Sequence, residues 1–410
     1  MDKIKENNKK TDYLEAVKIL VSNVTPIETC RLPLEELYGR ILAEDIIAKE
    51  NVPSFSRSPY DGYAFRALDT REASEESPVL LKVIENIRAG QLAKKEVGLN
   101  TAIRLMTGAA IPEGADAVCK YEDTDFSEHE VYIKKPYAEG DNIIYAGEDI
   151  KKGSIIAKAG SIVDEGMAGA IASLGYRELE VYRRVKAGII STGDELVEPS
   201  DKLSMGKIRN SNRYSIAGAL KKIGIESIYL GHARDDTEEL VKLINKGERD
   251  CDLIISTGGV SVGDYDLLPK AMEEAGYELP VRGVKMKPGM ACAYGLKKGR
   301  IMLALSGNPA SSLTNLQCIC LPALKKLTGL SEYEHNIIKM KLKGDCKKAG
   351  KGVRFIRGRL EFEEGELVFI PSVRQGNIVI SSAINCNAYG IISEDDGKQA
   401  SGYRIEGFTV

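Results

Sequence analysis

The spacing of apolar residues divides the chain into regions of different secondary structure. Apolar residues recur at helical spacing over 14–21, which predicts an amphipathic helix with Thr11 or Asp12 as its N-cap. A second, short helix is predicted over 33–38. Between residues 51 and 144, short alternating runs are punctuated by proline and glycine, a pattern typical of a small β-rich domain. Its predicted strands include 79–84, 131–133 and 142–145.

From residue 185 onward, predicted strands and helices alternate. The strands are 185–190, 227–230, 253–255 and 301–305, and the helices are 214–223, 237–245, 267–272 and 310–327. This alternation predicts a parallel sheet covered by helices, and such sheets bind ligands at the carboxyl ends of their strands. Residues 331–410 return to short strands, at 337–342, 354–360 and 367–370, with a hairpin turn at 363–366. They predict a compact β domain.

Size and charge exclude several classes of function. A chain of 410 residues is too long for one ordinary core, so several domains are expected. The net charge of −3 gives no global basic field to recruit nucleic acid or anionic lipid. No apolar run approaches the length of a membrane span, and the charged first ten residues lack the apolar segment of a signal peptide. The eight cysteines are scattered and form no CxxC pair, which fits the reducing cytoplasm. From the charge and the lack of long apolar runs, we expect no binding to nucleic acid or membranes.

The segment 256–266, Ser-Thr-Gly-Gly-Val-Ser-Val-Gly-Asp-Tyr-Asp, is the most informative in the chain. It follows the apolar strand at 253–255 and precedes a predicted helix. Glycines let backbone N–H groups approach an anion, and a helix N-terminus favours negative charge. Carboxylates beside such an anion require a cation between them, so the segment predicts a phosphate pocket with a divalent metal, Mg²⁺. The alternative is a tight strand-to-helix turn with solvated acids.

Other predicted strands also end in polar loops. Residues 191–196, Ser-Thr-Gly-Asp-Glu-Leu, suit a polar ligand or a metal. Residues 305–312, Leu-Ser-Gly-Asn-Pro-Ala-Ser-Ser, place Pro309 at the start of a helix, where free N–H groups could hold an anion. Both also fit plain turns or caps, but at one sheet edge they would face the same crevice. The segments 285–290, 208–212 and 56–64 add charged or polar residues, and each is also compatible with an ordinary exposed turn.

Taken together, these motifs resemble one family. The chain is similar to the molybdopterin molybdotransferases, a family that includes the C-terminal E domain of gephyrin, over essentially its whole length. The matching segments, in order, are Ser-x-x-Asp-Gly-Tyr-Ala at 58–64, 107–109 with 112–116, 147–150, 191–196, 257–266, 286–289 and 307–311. Several such segments in the right order are far more specific than any one loop.

The resemblance implies an α/β multidomain fold. An elongated N-terminal α+β domain would comprise 1–50 and 145–182, with a small β-rich domain inserted at 51–144. A central three-layer α/β domain of molybdopterin-binding type, with a mostly parallel sheet, would span 183–330. A β-barrel-like domain would follow at 331–410. The resemblance also implies a homodimer with the active site at the subunit interface, and, as further partners, molybdopterin adenylyltransferase and the molybdoenzymes that accept the cofactor.

The implied reaction takes adenylylated molybdopterin and molybdate, cleaves the pyrophosphate in a metal-dependent step, and gives molybdenum cofactor and AMP. The resemblance implies catalytic roles for Asp61, Glu195, Asp266 and Lys287, and Mg²⁺ ligation by Asp266, Glu195 and Asp235. Gly258, Gly259 and Ser261 would donate backbone N–H groups to the pyrophosphate. Lys287, Ser311 and Arg357 would bind molybdate, and Asp61 would reach across the dimer. The other implied binding residues are Thr107, Asp149, Thr192, Gly193, Asp194, Thr257, Gly263, Gly307, Asn308 and Asn377.

The chain departs from the family pattern at four positions. Tyr60 stands where the family usually has Met, Ser306 where it has Pro, and Asn377 where it has Ser; Met290 stands where some members carry a second lysine. Asn377 keeps a hydrogen-bond donor, whereas Met290 removes a cation. These departures leave three alternatives open: an insertase that prefers tungstate, a molybdopterin-binding or scaffolding protein without turnover, and a nucleotidyltransferase acting on another substrate.

Overall fold

The fold is described from a computed structural model that covers residues 10–234, 236–260, 267–347 and 349–410. The chain forms two compact units. The first comprises Met1–Ala43, Ala159–Val163 and Leu179–Val410, and the second comprises Glu44–Lys158 and Asp164–Glu178. The four-domain limits inferred from the sequence stay a prediction.

The α-helices of the described residues lie mostly in the first unit. In chain order they are α1 (Tyr13–Ser22), α2 (Glu165–Ser173), α3 (Asn212–Lys222), α4 (Thr237–Asp250), α5 (Leu267–Glu274), α6 (Pro309–Asn315) and α7 (Leu321–Leu327). Of the two predicted caps of α1, the structure selects Asp12, whose Oδ1 accepts from the Leu14 N–H at 2.9 Å. None of these helices has both the length and the apolar character that crossing a bilayer requires.

The strands alternate with these helices in the middle of the chain and dominate elsewhere. The first twelve are β1 (Thr29–Pro33), β2 (Ile46–Ile47), β3 (Gly62–Phe65), β4 (Val79–Ile87), β5 (Thr101–Leu105), β6 (Ala117–Lys120), β7 (Thr124–Phe126), β8 (Glu130–Ile133), β9 (Ile155–Ala157), β10 (Glu178–Tyr182), β11 (Lys186–Thr192) and β12 (Leu196–Val197). The others are β13 (Ile208–Arg209), β14 (Glu226–Ala233), β15 (Leu253–Thr257), β16 (Glu278–Arg282), β17 (Met286–Lys287), β18 (Cys292–Lys297), β19 (Arg300–Leu305), β20 (Ile338–Leu342), β21 (Val353–Glu363), β22 (Glu366–Pro371), β23 (Ala388–Ile392) and β24 (Arg404–Thr409).

A six-stranded sheet in the order β14-β11-β15-β19-β18-β16 forms the centre of the first unit. The first four strands are parallel, as predicted. Because Ser191 pairs with Thr257 and Thr257 pairs with Leu305, the carboxyl ends of β11, β15 and β19 are level. Every loop that follows these three strands therefore starts from one edge of the sheet.

Alternate residues of these strands face two separate cores, which is why the strands are apolar without interruption. Ile189, Ile255 and Leu303 pack on one face with α1, α3 and the helical segment that ends at Leu327. Ile190, Ile254 and Met302 pack on the other face with α4 and α5. Helices on both faces hold the strands rigidly, so the loops at their ends start from fixed positions.

The C-terminal strands of the first unit close into a barrel. The sheet order is β17-β21-β22-β20-β24-β23, and β23 pairs again with β21, so five strands form a ring to which β17 adds an edge. The predicted hairpin turn joins β21 to β22 through Glu364 and Gly365, both at positive φ. Phe355, Tyr389 and Phe408 of this barrel belong to the same core cluster as the central sheet. The barrel is therefore packed directly against the α/β domain.

The second unit contains a six-stranded sheet in the order β6-β3-β5-β4-β8-β7. Tyr63, Phe65 and Leu81 are fully buried in its core. Helix α2 belongs to the same unit, and its N-cap Asp164 accepts from the Met167 N–H at 2.8 Å. The predicted β-rich character of residues 51–144 is confirmed.

Several predicted elements were wrong in detail. The predicted helix at 33–38 is only a 3₁₀ turn at Leu34–Glu36 after strand β1. The predicted strand at 142–145 is a single bridge between Ile144 and Arg57. The predicted helix at 310–327 is interrupted by a π-helical turn at Leu316–Cys320, and the antiparallel strands β16 and β18 were missed. Short elements depend on tertiary neighbours more than on local pattern, which explains these differences.

Candidate functional site

Three loops meet at the carboxyl edge of the central sheet. They follow β11, β15 and β19, and all three line one open cavity of about 1180 Å³. The predicted binding residues in its wall are Thr192, Gly193, Glu195, Gly258, Gly259, Gly307 and Asn308. The prediction that the loops at 191–196 and 305–312 face the same crevice is confirmed. The cavity exceeds the range of about 300–1,000 Å³ that small-molecule pockets usually span.

One side chain ties two of these loops together. Asn212, in the first turn of α3, donates from Nδ2 to Thr257 Oγ1 at 2.6 Å and to the Gly307 carbonyl at 2.8 Å. Thr257 Oγ1 in turn donates to the Ser306 carbonyl at 3.2 Å. Since Asn212 is almost fully buried, these bonds fix the spacing of the β15 and β19 loops. Asn212 was outside the predicted binding set, although segment 208–212 was noted for its polar residues.

The loops approach so closely that side chains are excluded. Gly258 has φ +96°, and a Cβ there would overlap the Thr192 carbonyl oxygen. Gly307 lies against the same point, since its added Cβ would be 3.4 Å from the Gly258 Cα. Glycine is required where backbone meets backbone at this distance. The close approach explains the Gly258-Gly259 pair better than phosphate donation does.

The predicted backbone donors are partly occupied, which corrects the sequence-based interpretation. The Gly258 N–H donates to the Leu305 carbonyl at 3.1 Å, so it is not free for a phosphate. At the start of α6, the Ser311 N–H donates to the Asn377 carbonyl at 3.2 Å and the Asn308 N–H to Ser306 Oγ at 3.2 Å. The hydroxyl of Ser306 therefore stabilises the loop at the position where the family usually has proline.

Two buried polar atoms beside the cavity have no partner in the described part of the chain. Thr192 Oγ1 and Asn212 Oδ1 make no hydrogen bond with any described residue. Both residues line a side cavity of about 40 Å³, together with Glu195 and Arg209. A buried polar atom without a partner costs about 1–3 kcal/mol, so these atoms need water or a polar ligand. The site is therefore built for a polar molecule.

Of the carboxylates predicted to bind the metal, only Glu195 belongs to the described residues. Glu195 lines both cavities, and its carboxylate makes no hydrogen bond or ion pair with a described residue. An unpaired carboxylate in a polar pocket fits a hard cation such as Mg²⁺. Asp235, Asp266, Ser261 and Gly263 lie outside the described residues. Among the described residues, here or elsewhere, no group of three or more His, Cys, Asp or Glu side chains is placed to hold a metal.

A buried arginine of the barrel bonds to the segment that carries Ile378, a residue of the cavity wall. Arg357, on β21, is fully buried. Its guanidinium donates to Ser382 Oγ at 2.7 Å, Thr314 Oγ1 at 3.1 Å and the Gly376 carbonyl at 3.2 Å. All three partners are neutral, and burial lowers the pKa of the guanidinium. Arginine stays protonated in proteins, so this is a buried positive charge without a carboxylate partner among the described residues.

Ser311, one of the predicted molybdate ligands, lies on the helix that bonds to Arg357. Thr314, which binds the guanidinium, lies one turn after Ser311 on α6, and the Ser311 N–H bonds to Asn377. Ile378, next to Asn377, lines the large cavity.

The loop after Lys287 is attached to the same helix. Asn315 donates from Nδ2 to the Gly289 carbonyl at 2.9 Å, and an added Cβ at Gly289 would lie 3.0 Å from the Ser311 carbonyl oxygen. The ammonium of Lys10 lies 2.7 Å from the sulfur of Met290, so a cation adjoins the position where some family members carry lysine.

The remaining predicted residues belong to the second unit. Asp61 Oδ1 accepts from the Thr107 N–H at 2.7 Å and from Thr107 Oγ1 at 2.8 Å. These two bonds, the backbone one first, lower the pKa of Asp61. Asp149 is exposed and makes no hydrogen bond with Asp61 or Thr107, and its N–H donates to the Val52 carbonyl at 3.1 Å. The ring of Tyr60, beside Asp61, lies 4.3 Å from the Lys120 ammonium.

Replacing Thr107 with valine is expected to raise the pKa of Asp61 part of the way toward its ordinary value. Valine keeps the volume and the backbone bond but removes the hydroxyl bond to the carboxylate. The lowered pKa means that this interaction is complete above the ordinary aspartate pKa and is lost as pH falls through the lowered value. Carboxyl-carbon NMR titration of Asp61 measures the shift. An identical titration curve in T107V would show that the hydroxyl does not stabilise the charge.

Comparison with known protein families identifies the class of protein to which this chain belongs. The model of the MoeA N-terminal region (domain I and II) matches residues 11–175, that of the probable molybdopterin binding domain matches 188–326, and that of the MoeA C-terminal region (domain IV) matches 339–406. The central sheet and its pocket thus define a protein of molybdopterin biosynthesis. The chain belongs to the MoeA family.

Relatives and solved structures match this chain over nearly its whole length. The molybdopterin molybdenumtransferase of Staphylococcus aureus (strain Mu50) is 36% identical over 374 residues, covering 91% of this chain and 89% of the relative. That of Staphylococcus epidermidis (strain RP62A) is 37% identical over 358 residues, 87% of this chain and 85% of the relative. The crystal structure of the molybdopterin biosynthesis MoeA protein of Pyrococcus horikoshii OT3 superposes with a TM-score of 0.85 at 32% identity, over 98% of this chain and 100% of that one. The resemblance and the fold class inferred from the sequence are confirmed.

Proposed function

We propose that this chain is a molybdopterin molybdotransferase, which inserts molybdate into adenylylated molybdopterin, cleaves the pyrophosphate and releases molybdenum cofactor and AMP. The transferase function predicted from the motifs is confirmed by relatives of that name across 91% of the chain. The observation that carries the proposal is the buried charge of Arg357, which has no carboxylate partner among the described residues. Arg357 bonds to Gly376, two residues before Ile378 in the wall of the polar cavity that three strand-end loops form. That combination suits an inorganic dianion and a phosphorylated organic molecule in one site.

In this proposal, the strand-end loops hold the adenylylated substrate. Asn212 fixes the spacing of two loops, and the unpartnered Thr192 Oγ1 offers a bond to the bound molecule. Arg209, in the same wall, has one hydrogen bond with a described residue, from Nε to the Pro199 carbonyl at 3.2 Å, and its other donors are proposed to bind a phosphate. Arg209 was noted in the sequence but not predicted as a binding residue.

The oxyanion is proposed to bind to Arg357, Ser311 and Lys287. Three of the five guanidinium N–H donors bond to partners in the described part of the chain, which leaves two for an anion in this proposal. Lys287 makes no ion pair with a described residue, and its loop is tied to the helix that carries Ser311. Molybdate and tungstate share shape and charge, so these residues alone do not select between them.

Mg²⁺ is proposed as the metal, held by Glu195 with Asp266 and Asp235. When bound, a divalent cation would neutralise charge on the pyrophosphate and polarise its phosphorus–oxygen bonds. The chain's own contribution is to place the Glu195 carboxylate over Gly193, where an added Cβ would lie 2.5 Å from Oε2. This placement leaves the other side of the carboxylate toward the cavity.

The homodimer, with Asp61 of one subunit reaching the site of the other, is part of the same proposal. A cytoplasmic location is supported by eight cysteines that are all free thiols. Molybdopterin adenylyltransferase as supplier of the substrate, and molybdoenzymes as acceptors of the product, are the proposed partners.

The test is AMP release from adenylylated molybdopterin with Mg²⁺, measured with molybdate and with tungstate in parallel. We expect release that one oxyanion stimulates, and a loss of about 100-fold or more in Glu195→Gln, which keeps the volume but removes the charge. Glu278→Gln is the matched control, because Glu278 is exposed at the start of β16, at the opposite edge of the sheet. Bound substrate without AMP release in the unmodified protein would instead favour a binding or scaffolding protein, and full activity in E195Q would refute the metal role of Glu195.

A further inference from the structure

A second cavity lies at the opposite edge of the central sheet. Its volume is about 660 Å³, and it shares no lining residue with the cavity at the strand carboxyl ends. Val185, which precedes β11, and Gly224, between α3 and β14, form part of its wall. The cavity therefore opens at the amino ends of the parallel strands, far from the residues proposed for the transferase reaction.

The wall of this amino-edge cavity is strongly basic. Six of its lining residues are cationic: Arg40, Arg183, Arg184, Lys221, Lys222 and Lys325. Glu332 is the one acidic residue in the described lining. The cations come from four separate segments of the chain, so their convergence is a product of the fold and not of a local charge run.

Internal ion pairs account for only part of this charge. Arg183 pairs with Glu28 and Asp252, and Arg184 lies 3.8 Å from Glu226. Lys222 donates to the Val410 oxygen, and Arg40 donates to the Tyr182 carbonyl at 3.0 Å. Lys221 and Lys325 have no acidic partner among the described residues. Favourable interaction with the C-terminal ends of α3 and α7 stabilises Lys221, Lys222 and Lys325 individually, but it does not account for Arg40 or for the convergence of these cations on one cavity.

Lys325 is the most informative of these residues. It lies on α7 and is only partly exposed. Burial, and then the positive charge of Lys222, lower the pKa of Lys325. Two ammonium groups at the wall of one cavity repel each other, and an anion between them would remove that repulsion.

The rest of the wall is apolar. Ile41, Ile162, Ile223 and Leu330 line the same space. A volume of about 660 Å³ is within the range of small-molecule sites, whereas a single inorganic ion needs much less. The wall thus combines unpaired cations with aliphatic surface.

We propose that the amino-edge cavity binds a small organic phosphate, with Arg40, Lys221 and Lys325 around the phosphate and the aliphatic side chains against the organic part. Its ligand is distinct from the substrates of the transferase reaction and is held at a separate site. The proposal does not depend on catalysis, because it concerns residues on the other edge of the sheet.

Lysine reactivity tests the proposal directly. The full chain is acetylated with a limiting reagent, and the modified lysines are quantified by mass spectrometry with ADP, with inorganic pyrophosphate, and with sodium chloride at equal ionic strength. We expect ADP to slow modification of Lys221 and Lys325 several-fold more than chloride does. Lys242, on α4, is the control, since it is exposed and has no ion pair with a described residue. Lys287 reports separately on the transferase site.

A double variant, Lys221→Ala with Lys325→Met, provides the second measurement. Methionine retains the aliphatic part of the half-buried side chain, so the fold is preserved. We expect ADP affinity at this site, measured calorimetrically, to fall about tenfold or more, since two charge-assisted bonds are removed. Lys287→Ala should leave the ADP affinity of the amino-edge cavity unchanged. Equal protection by chloride, unchanged lysine reactivity with ADP, or unchanged affinity in the double variant would each overturn the proposal.

Discussion

Replacing Arg357 with methionine is expected to reduce oxyanion-stimulated AMP release by about 100-fold or more, and to weaken molybdate binding in parallel. Arg357 is fully buried, and its hydrogen-bond partners are all neutral. A buried charge normally requires a compensating charge, and the proposed oxyanion supplies it. Removal of a single preorganised donor from an anion site commonly costs about 10²–10³ in rate, and methionine removes both remaining donors and the charge.

The expected loss of AMP release must be distinguished from a loss of folded structure. Without the guanidinium, Thr314 Oγ1 and the Gly376 carbonyl lose a donor, which costs about 1–3 kcal/mol per buried group. Thermal unfolding of each variant therefore accompanies the activity assay. Arg357→Lys keeps the charge without the planar fork, so it should retain part of the oxyanion dependence.

The matched control for Arg357 lies on the same strand. Arg359 is exposed and pairs with Glu361 at 3.1 Å, so Arg359→Met should leave activity unchanged. Titration of molybdate against AMP release distinguishes weaker oxyanion binding from slower turnover. Normal oxyanion stimulation in R357M would exclude Arg357 as an oxyanion ligand and leave its buried charge with a purely structural role.

Replacing Gly258 with alanine is expected to destabilise the first unit by about 1–3 kcal/mol and to lower AMP release by at least about tenfold. The backbone of Gly258 has φ +96°, and the new Cβ would overlap the Thr192 carbonyl oxygen. Neither atom is at the end of a flexible side chain, so the β11 and β15 loops must move apart. That movement would widen the cavity and break the alignment that Asn212 maintains.

Gly218 provides the comparison for this change. It lies within α3 of the same unit, at an ordinary helical φ, and an added Cβ would meet nothing within 4 Å. Gly218→Ala should therefore stabilise the protein by about 0.5–1 kcal/mol. Denaturant unfolding of both variants gives the two free energies of unfolding. Equal stability and activity in G258A and G218A would mean that the loops are not held as closely as the structure places them.

Long, strongly patterned elements were predictable from local sequence. The uninterrupted apolar runs at β11, β15 and β19, each followed by a Gly-rich polar loop, are enough to predict a parallel sheet with a binding edge. Strands β16, Glu-Leu-Pro-Val-Arg, and β18, Cys-Ala-Tyr-Gly-Leu-Lys, were missed because neither contains an uninterrupted run of branched apolar residues. The predicted helix at 33–38 was wrong because Pro33 ends strand β1, and β1 pairs with β10, a partner far along the chain.

The candidate site was also only partly predictable. The Gly258-Gly259 pair was identified from sequence, but its amide at Gly258 was assigned to a phosphate and instead bonds to Leu305. The role of Asn212 depends on Thr257 and Gly307, which lie 45 and 95 positions away in the chain. The basic amino-edge cavity left no sequence signal, since Arg40, Lys221 and Lys325 are far apart in the chain.

The sequence by itself determined the class of fold, the family and the order of the loops that form the site, because these depend on local periodicity and on contiguous motifs. Tertiary structure alone decided which backbone donors are occupied and that cations converge at the amino edge of the sheet. It also decided that Arg357 is buried with no carboxylate partner among the residues that the structure describes. The physical reason is that hydrogen-bond occupancy, burial and charge pairing are properties of groups brought together across long stretches of chain. A local pattern of residues therefore cannot predict these properties.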